Sequence, residues 1–180
     1  MNVIAICGLP GSGKTTAIDA VKDLGIVVTM GDVVRNEVSK RNLEPSAINI
    51  GKVAEELRRE GGSAIIAEKC VELIKFLNKK VVIVDGVRSL SEVEIFRKFW
   101  KFPIIAIVVN DKLRFKRLFK RHRSDDPVSL EELKQRDKRE IGFGLNKLIE
   151  SADYIIKNDS NIEKLKKRIR KVFLKIINFN

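Results

Sequence analysis

Nine consecutive residues near the start of the chain combine glycines, a lysine and threonines at a spacing suited to binding phosphate. They satisfy the pattern GxxxxGK(S/T) at every fixed position and are Gly8, Leu9, Pro10, Gly11, Ser12, Gly13, Lys14, Thr15 and Thr16. Glycines at this spacing let backbone N–H groups converge on phosphate oxygens, and the positive end of a following helix points to the same place. We therefore expect ATP binding, with Lys14 on the β- and γ-phosphates and Thr15 on Mg²⁺. The alternative is a strand-to-helix turn that holds no ligand.

Two further segments place an acidic residue and an arginine directly after a predicted strand. One pair is Asp32 and Arg35, and the other is Asp85 and Arg88. Ligands of open parallel sheets bind beyond the carboxyl ends of the strands, so both arginines are expected to face one phosphate opposite the γ-phosphate of ATP. Asp85 ends an apolar strand, where a carboxylate can hold Mg²⁺ directly or through water. For Asp32 and Arg35, a helix N-cap and a surface charge are the simpler alternatives.

The pattern of apolar residues predicts the elements that position these groups. Short β-branched runs alternate with longer amphipathic segments, which is typical of an α/β protein whose parallel strands are buried on both faces. The predicted strands span residues 3–7, 26–29, 81–84, 104–109 and 154–156. The predicted helices span residues 14–23, 32–40, 46–60, 63–78, 91–100, 112–122, 129–150 and 161–178.

Composition excludes several classes of protein. With 180 residues, of which 44% are hydrophobic and 33% charged, the chain can form one folded domain and is too apolar to be disordered. The apolar run at 104–109 falls far short of the roughly 20 residues that cross a bilayer. The N-terminus lacks the basic region of a signal peptide, so we expect a cytoplasmic protein with no membrane partner. Cys7 and Cys70 are interpreted as buried thiols.

The net charge of +12 requires partners or a solvated surface. Nucleic acid, a membrane surface and small polyanions are all compatible with it, and charge alone does not choose among them. Residues 112–123 contain seven Lys or Arg and no acid, and the last predicted helix adds a second cationic face. No RNA-binding motif with interleaved aromatic residues accompanies these charges. Nucleic acid is therefore a weaker expectation than a phosphate-bearing small molecule.

The segments after the strands resemble motifs of the nucleoside monophosphate kinases of the P-loop superfamily, especially adenylate kinase and its relatives. Residues 31–35 resemble the GDxxR segment, and residues 85–88 resemble DGxPR without the proline. Residues 152–158 resemble the ADxxIxN stretch near the end of adenylate and dephospho-CoA kinases. The resemblance covers almost the whole chain and is strongest to an archaeal group of adenylate-kinase-related or dephospho-CoA-kinase-like proteins.

This resemblance implies a three-layer α/β/α P-loop fold with a five-stranded parallel sheet in the order 2-3-1-4-5 and a short helical lid. Residues 1–180 would form a single kinase-like domain. Its core would comprise residues 1–30, 80–112 and 150–180. An acceptor-binding helical insertion would lie at about 31–78 and the lid at about 113–145.

The resemblance also implies roles for charged residues. Arg35 and Arg88 would bind the acceptor phosphate, Asp32 would contact the acceptor, and Asp85 would be the acidic residue near Mg²⁺. The arginine-bearing lid and its RxDD segment correspond to residues 117–136. The catalytic set would then consist of Lys14, Arg88, Arg117, Arg121, Arg123 and Arg136.

Two positions depart from the adenylate kinase pattern. Where those enzymes place a glutamine that reads the base of AMP, this chain has Glu92. An ionised carboxylate only accepts hydrogen bonds, so Glu92 suits an N–H-rich edge such as that of guanine or cytosine. The alternative is that Glu92 completes a capping box with Ser89 or Ser91. Five residues between Arg123 and Ser129 leave no room for a large lid insertion.

Three functions remain, in this order of expectation. The first is an ATP-dependent kinase of a nucleotide or nucleotide-like phosphate acceptor. The second is a dephospho-CoA-kinase-like transferase that acts on a ribose hydroxyl, where Asp32 would gain importance. The third is an ATP-binding factor for RNA or ribosome assembly with weak ATPase activity.

Overall fold

A five-stranded parallel sheet forms the centre of the computed structural model, which describes residues 1–121, 129–159 and 161–178. The strands are β1 (Asn2–Cys7), β2 (Ile26–Thr29), β3 (Val81–Asp85), β4 (Ile104–Val108) and β5 (Tyr154–Lys157). Their order is β2-β3-β1-β4-β5, and every pairing is parallel. The predicted fold class and strand order are therefore confirmed.

Helices connect the strands of the described chain and cover both faces of the sheet. They are α1 (Lys14–Asp19), α2 (Met30–Lys40), α3 (Ala47–Gly61), α4 (Ile65–Leu77), α5 (Leu90–Arg97), α6 (Asp111–Arg121), α7 (Leu130–Gly142), α8 (Leu145–Glu150) and α9 (Ile162–Asn178). The prediction of one helix over 129–150 is wrong. Gly144 has a φ of 102°, a left-handed conformation that separates α7 from α8. No helix in the described ranges is long and apolar enough to cross a membrane.

The residues of β1 divide the core into two layers. Val3, Ala5 and Cys7 pack with buried residues of α2, α3, α4, α5 and α8, whereas Ile4 and Ile6 pack with those of α1 and α9. Because a strand covered on both faces needs apolar side chains at every position, the sequence shows an unbroken apolar run instead of alternation. Cys7 and Cys70 are free and buried, and burial raises the pKa of each thiol to about 12.

The carboxyl ends of the strands lie along one edge of the sheet and carry the loops of interest. In the register of the central strands, Asp85 of β3 pairs with Ile6 of β1 and with Thr29 of β2. The phosphate-loop pattern follows β1, α2 follows β2 directly, and the Asp85 segment follows β3. All three segments therefore lie at the same edge, where ligands of open parallel sheets bind.

Candidate functional site

A cleft of about 720 Å³ opens at this edge of the sheet. Most of the residues predicted for the site line it: Gly8, Pro10, Gly11, Gly13, Lys14, Thr15, Thr16, Arg35, Asp85, Arg88, Glu92, Arg117 and Arg136. Leu9, Ser12 and Asp32 lie next to lining residues in the chain. Arg123 lies outside the described residues, and the structure does not describe the side chain of Arg121. We call the part around the glycine-rich loop, Asp85 and Arg117 the loop half, and the part around Arg35, Arg58 and Arg88 the arginine half.

The glycine-rich loop is tightly packed against its surroundings at Gly8, Gly11 and Gly13. A Cβ added at Gly8, whose φ is 147°, would lie 2.4 Å from the carbonyl oxygen of Ile107. A Cβ at Gly13 would lie 2.3 Å from Nδ2 of Asn158. That same nitrogen donates a hydrogen bond of 2.7 Å to the carbonyl of Ser12. Asn158, which belongs to the ADxxIxN stretch, therefore braces the loop backbone from the end of β5.

Lys14 is folded back over the loop. Its Nζ donates hydrogen bonds to the carbonyls of Gly8 at 2.7 Å and of Leu9 at 3.3 Å. Burial lowers the pKa of Lys14, while the carboxylates of Asp85 and Glu140 act in the opposite direction. The ammonium group is thus held at the loop in a position to exchange its carbonyl partners for phosphate oxygens.

Asp85 presents a carboxylate at the end of β3. Its Oδ1 is buried and has no hydrogen-bond partner among the described residues. Burial raises the pKa of Asp85, and the positive charge of Lys14 opposes this rise. Two other buried atoms in the loop half also lack a partner in the described structure, namely Oγ of Ser12 and Nη1 of Arg117. Buried polar atoms are almost always hydrogen-bonded, so three exceptions in one place indicate a polar ligand site.

Arg114 connects the glycine-rich loop to α6 and α7, and it was not identified from the sequence. It is 2% exposed, and its Nη1 donates to the carbonyl of Pro10 at 3.1 Å and to Oδ1 of Asp137 at 2.8 Å. It therefore joins α6 to the loop and to α7. Its position four residues before the buried Leu118 places it on the apolar stripe of α6, and that was the one signal in the sequence that could have identified it.

Arg117 lies one turn further along α6 and faces the loop half. Its Nη2 donates a hydrogen bond of 2.9 Å to the carbonyl of Asn158, while Nη1 is the unpartnered buried atom. Arg136 of α7 also lines the cleft, and its positive charge contributes to the lowered pKa of Lys14. Two of the four predicted lid arginines are thus within the cleft wall.

The arginine half pairs its cations with carboxylates. Nε of Arg35 donates to Oδ1 of Asp32 at 2.9 Å, and both side chains are exposed. Nε of Arg88 lies 3.2 Å from Oε2 of Glu140 on α7. Glu140 was not identified from the sequence because a carboxylate on an amphipathic helix is usually solvated.

Hydrogen bonds at the start of α5 hold the side chain of Glu92. Its Oε2 accepts hydrogen bonds from the backbone N–H of Arg88 at 2.7 Å and of Ser89 at 3.3 Å, and Oγ of Ser89 accepts from the backbone N–H of Glu92. This is the capping box of α5, formed with Ser89 and not with Ser91. Burial raises the pKa of Glu92, against the effect of these hydrogen bonds and of Arg58.

Residues 7–134 match a family described as an AAA domain. A UPF0200 protein of Hyperthermus butylicus is 38% identical over 175 residues, which cover 97% of this chain and 94% of that protein. The chain belongs to the UPF0200 family. A UPF0200 relative from Methanosarcina mazei is 43% identical, with 96% of this chain and 94% of the relative covered. A UPF0200/UPF0201 protein of Archaeoglobus fulgidus is 46% identical to this chain. The match covers 98% of this chain and 56% of the length of that protein.

Solved structures with the same fold have little sequence in common with this UPF0200 protein. TT1252 from Thermus thermophilus superposes with a TM-score of 0.67 at 16% identity, covering 97% of both chains. A shikimate kinase from Acinetobacter baumannii, solved in complex with shikimate, superposes with a TM-score of 0.61 at 12% identity, covering 100% of this chain and 95% of that one. The domain therefore has a P-loop kinase-like fold.

Proposed function

We propose that this UPF0200 protein is an ATP-dependent phosphotransferase that moves the γ-phosphoryl group of ATP to a phosphate-bearing nucleotide or nucleotide-like acceptor. The observation that supports this most strongly is a single cleft lined both by the glycine-rich loop with Lys14 and by Arg35 and Arg88. A nucleotide hydrolase needs the first set alone. Arginines in the same cleft offer a site for a second anion and so favour a two-substrate reaction.

The chain's own residues would work by position and charge. In the transfer an acceptor oxygen forms the new bond to phosphorus, the bond to the β,γ-bridging oxygen breaks, and ADP leaves with that electron pair. Lys14 would bind the phosphates on the donor side, while Arg117 and Arg136 would face the charge that develops on the transferring group. Arg35 and Arg88 would orient the acceptor.

The residues at the end of β3 and the start of α1 fit a magnesium ion. Asp85 offers a buried carboxylate oxygen that lacks a partner in the described structure, and Thr15 offers a hydroxyl in the cleft wall. When bound there with ATP, Mg²⁺ would neutralise charge on the β- and γ-phosphates.

Asp32 helps to decide between the two transferase hypotheses. A dephospho-CoA-kinase-like reaction needs a base for an acceptor hydroxyl, but the carboxylate of Asp32 is exposed and engaged by Arg35. This arrangement favours a phosphate acceptor, which needs no base. The likeness to adenylate kinase, the helical insertion at 31–78 as the acceptor-binding part and a cytoplasmic location remain parts of the proposal.

The test is a panel of phosphate acceptors incubated with Mg·ATP, with products identified by mass. It includes all common nucleoside monophosphates and dephospho-CoA. We expect one acceptor class to gain a single phosphoryl group in step with ADP formation, and Lys14→Met to abolish this gain. Slow ADP release that no acceptor accelerates would contradict transfer and favour a simple ATPase.

A further inference from the structure

The arginine half of the cleft contains a cation that no sequence motif included. Arg58 of α3 lines the cleft, and its side chain is 20% exposed. Its Nη1 donates a hydrogen bond of 3.3 Å to the carbonyl of Ala54, and its guanidinium carbon lies 5.2 Å from the centre of the Phe143 ring. These contacts hold the guanidinium at a defined place in the cleft wall.

Apolar side chains also line the cleft that contains Arg58. They come from α2, α3, α4 and α8 and are Val34, Ile50, Ala54, Ile66 and Leu145. Such a wall suits a flat, largely apolar part of a ligand, whose orientation is then decided by a few polar groups. An acceptor whose phosphate is bound by Arg35 and Arg88 would direct the rest of the molecule toward this wall.

Glu92 limits what this part of the cleft can recognise. Its Oε2 is occupied by two backbone N–H groups, and its Oε1 lies 3.7 Å from Nη2 of Arg58. The Glu92 side chain is only 2% exposed, so it offers little to the N–H groups of a ligand. Arg58 carries five N–H donors and no acceptor. The polar edge of the ligand must therefore supply hydrogen-bond acceptors.

The negative charge of Glu92 further limits the chemical group that Arg58 can bind. Glu92 already places a carboxylate beside Arg58, so a second full negative charge would approach a buried group of the same sign. A neutral carbonyl oxygen can accept a hydrogen bond from Arg58 without that repulsion. This favours a keto group over a carboxylate at this position.

We propose that Arg58 is a specificity residue of the acceptor site and donates a hydrogen bond to the ring carbonyl oxygen of a keto nucleobase. The proposal rests on the proposed function, which locates the acceptor phosphate at Arg35 and Arg88. It replaces the expectation that Glu92 reads an N–H-rich edge, because the capping box and Arg58 occupy that carboxylate.

Two matched pairs of nucleoside monophosphates test the proposal by equilibrium binding without ATP. UMP has a carbonyl and an adjacent ring N–H where CMP has an amino group and an adjacent ring nitrogen acceptor, and IMP and AMP differ in the same way; the other ring carbonyl is common to UMP and CMP. In whichever pair binds more tightly, we expect the keto member to bind about tenfold better. A phosphate-bearing carboxylic acid, 3-phosphoglycerate, is the third arm and should bind more weakly than the keto nucleotide.

Variants of Arg58 test whether this residue causes the preference for keto nucleotides. Arg58→Gln should remove the keto preference while leaving the dissociation constant of ATP unchanged. Since this variant leaves Glu92 without its cation, the double variant R58Q/E92Q removes both charges and keeps a residue that can complete the capping box. Arg59→Gln is the matched control, because Arg59 is adjacent, exposed and paired with Glu60.

The outcomes separate this proposal from the proposed function. A keto preference that survives Arg58→Gln, equal binding within both pairs, or tighter binding of 3-phosphoglycerate would overturn the role of Arg58. If phosphoryl transfer occurs to a different acceptor class, the kinase stands and the role of Arg58 falls. If no transfer occurs but the keto preference depends on Arg58, the binding role stands and the kinase falls.

Discussion

The loop half of the cleft buries polar atoms that lack a partner in the described structure, whereas the arginine half pairs Arg35, Arg58 and Arg88 each with a carboxylate. A buried polar atom without a partner costs about 1–3 kcal/mol. Of these pairs only Arg35–Asp32 is exposed on both sides, and exposed ion pairs contribute only about 0–1 kcal/mol, so this pair can exchange partners easily. The unpartnered atoms of the loop half therefore favour a polar ligand there, whereas the exposed pair in the arginine half can give up its partner at little cost.

The largest expected effect comes from removing Arg114, which holds the glycine-rich loop of the loop half in place. Arg114→Met should lower the free energy of unfolding by about 3 kcal/mol, because it leaves Asp137 without its buried cation. It should also weaken ATP binding, since the carbonyl of Pro10 loses its donor. Chemical denaturation and ATP titration measure the two effects. Lys116→Met, an exposed change on the same helix, is the control, and equal behaviour of the two variants would contradict the bracing role.

A substitution in the arginine half should change the kinetic constants for the acceptor and leave the affinity for ATP nearly unchanged. Arg88→Ala should raise the KM for the acceptor and lower kcat, together by about a hundredfold in kcat/KM, with the affinity for ATP nearly unchanged. Steady-state kinetics on the acceptor that the panel identifies provides the measurement. The matched control is Arg97→Ala, which breaks the exposed contact with Asp153. An equal loss of ATP affinity in Arg88→Ala would mean that the halves are not distinct.

The buried carboxylate of Asp85, whose Oδ1 lacks a partner in the described structure, should reduce the stability of the ligand-free protein. Because the pKa of Asp85 is raised on folding, the folded protein holds this proton more tightly, and stability falls as pH rises from the ordinary value of 3.8 through the raised one. Asp85→Asn should therefore stabilise the ligand-free protein at neutral pH and have no such effect at pH 3. Thermal unfolding across pH is the measurement. A less stable variant at neutral pH would reverse this interpretation.

The smallest effect is expected from freeing one arginine. Glu140→Gln removes the carboxylate from Arg88, so the acceptor should bind about threefold more tightly without ATP. Calorimetric titration of the acceptor would detect this gain, and Glu131→Gln in the first turn of α7 is the control. Weaker binding would show that Glu140 takes part in holding the acceptor.

The sequence predicted the sheet and the loop half better than the arginine half. Strands buried on both faces leave continuous apolar runs, and the glycine-rich loop is local in sequence, so neither requires knowledge of distant contacts. Arg58 and Glu140 lie on helices that contact the cleft only after packing, and their spacing is that of ordinary solvated faces. The break between α7 and α8 depends on Gly144, whose left-handed conformation a helical pattern does not reveal.

Arg114 forms a short structural connection between the loop half and the arginine half of the cleft. Its guanidinium contacts Pro10 of the loop and Asp137 of α7, and Glu140, which holds Arg88, lies on the same face of α7 three residues beyond Asp137. A ligand that shifts the loop would therefore act on the helix whose Glu140 pairs with Arg88. Such linkage is reciprocal: the factor by which ATP changes acceptor affinity equals the factor by which the acceptor changes ATP affinity. In the proposed reaction, Arg114 would therefore couple ATP binding at the loop to acceptor binding at Arg88 through one buried side chain.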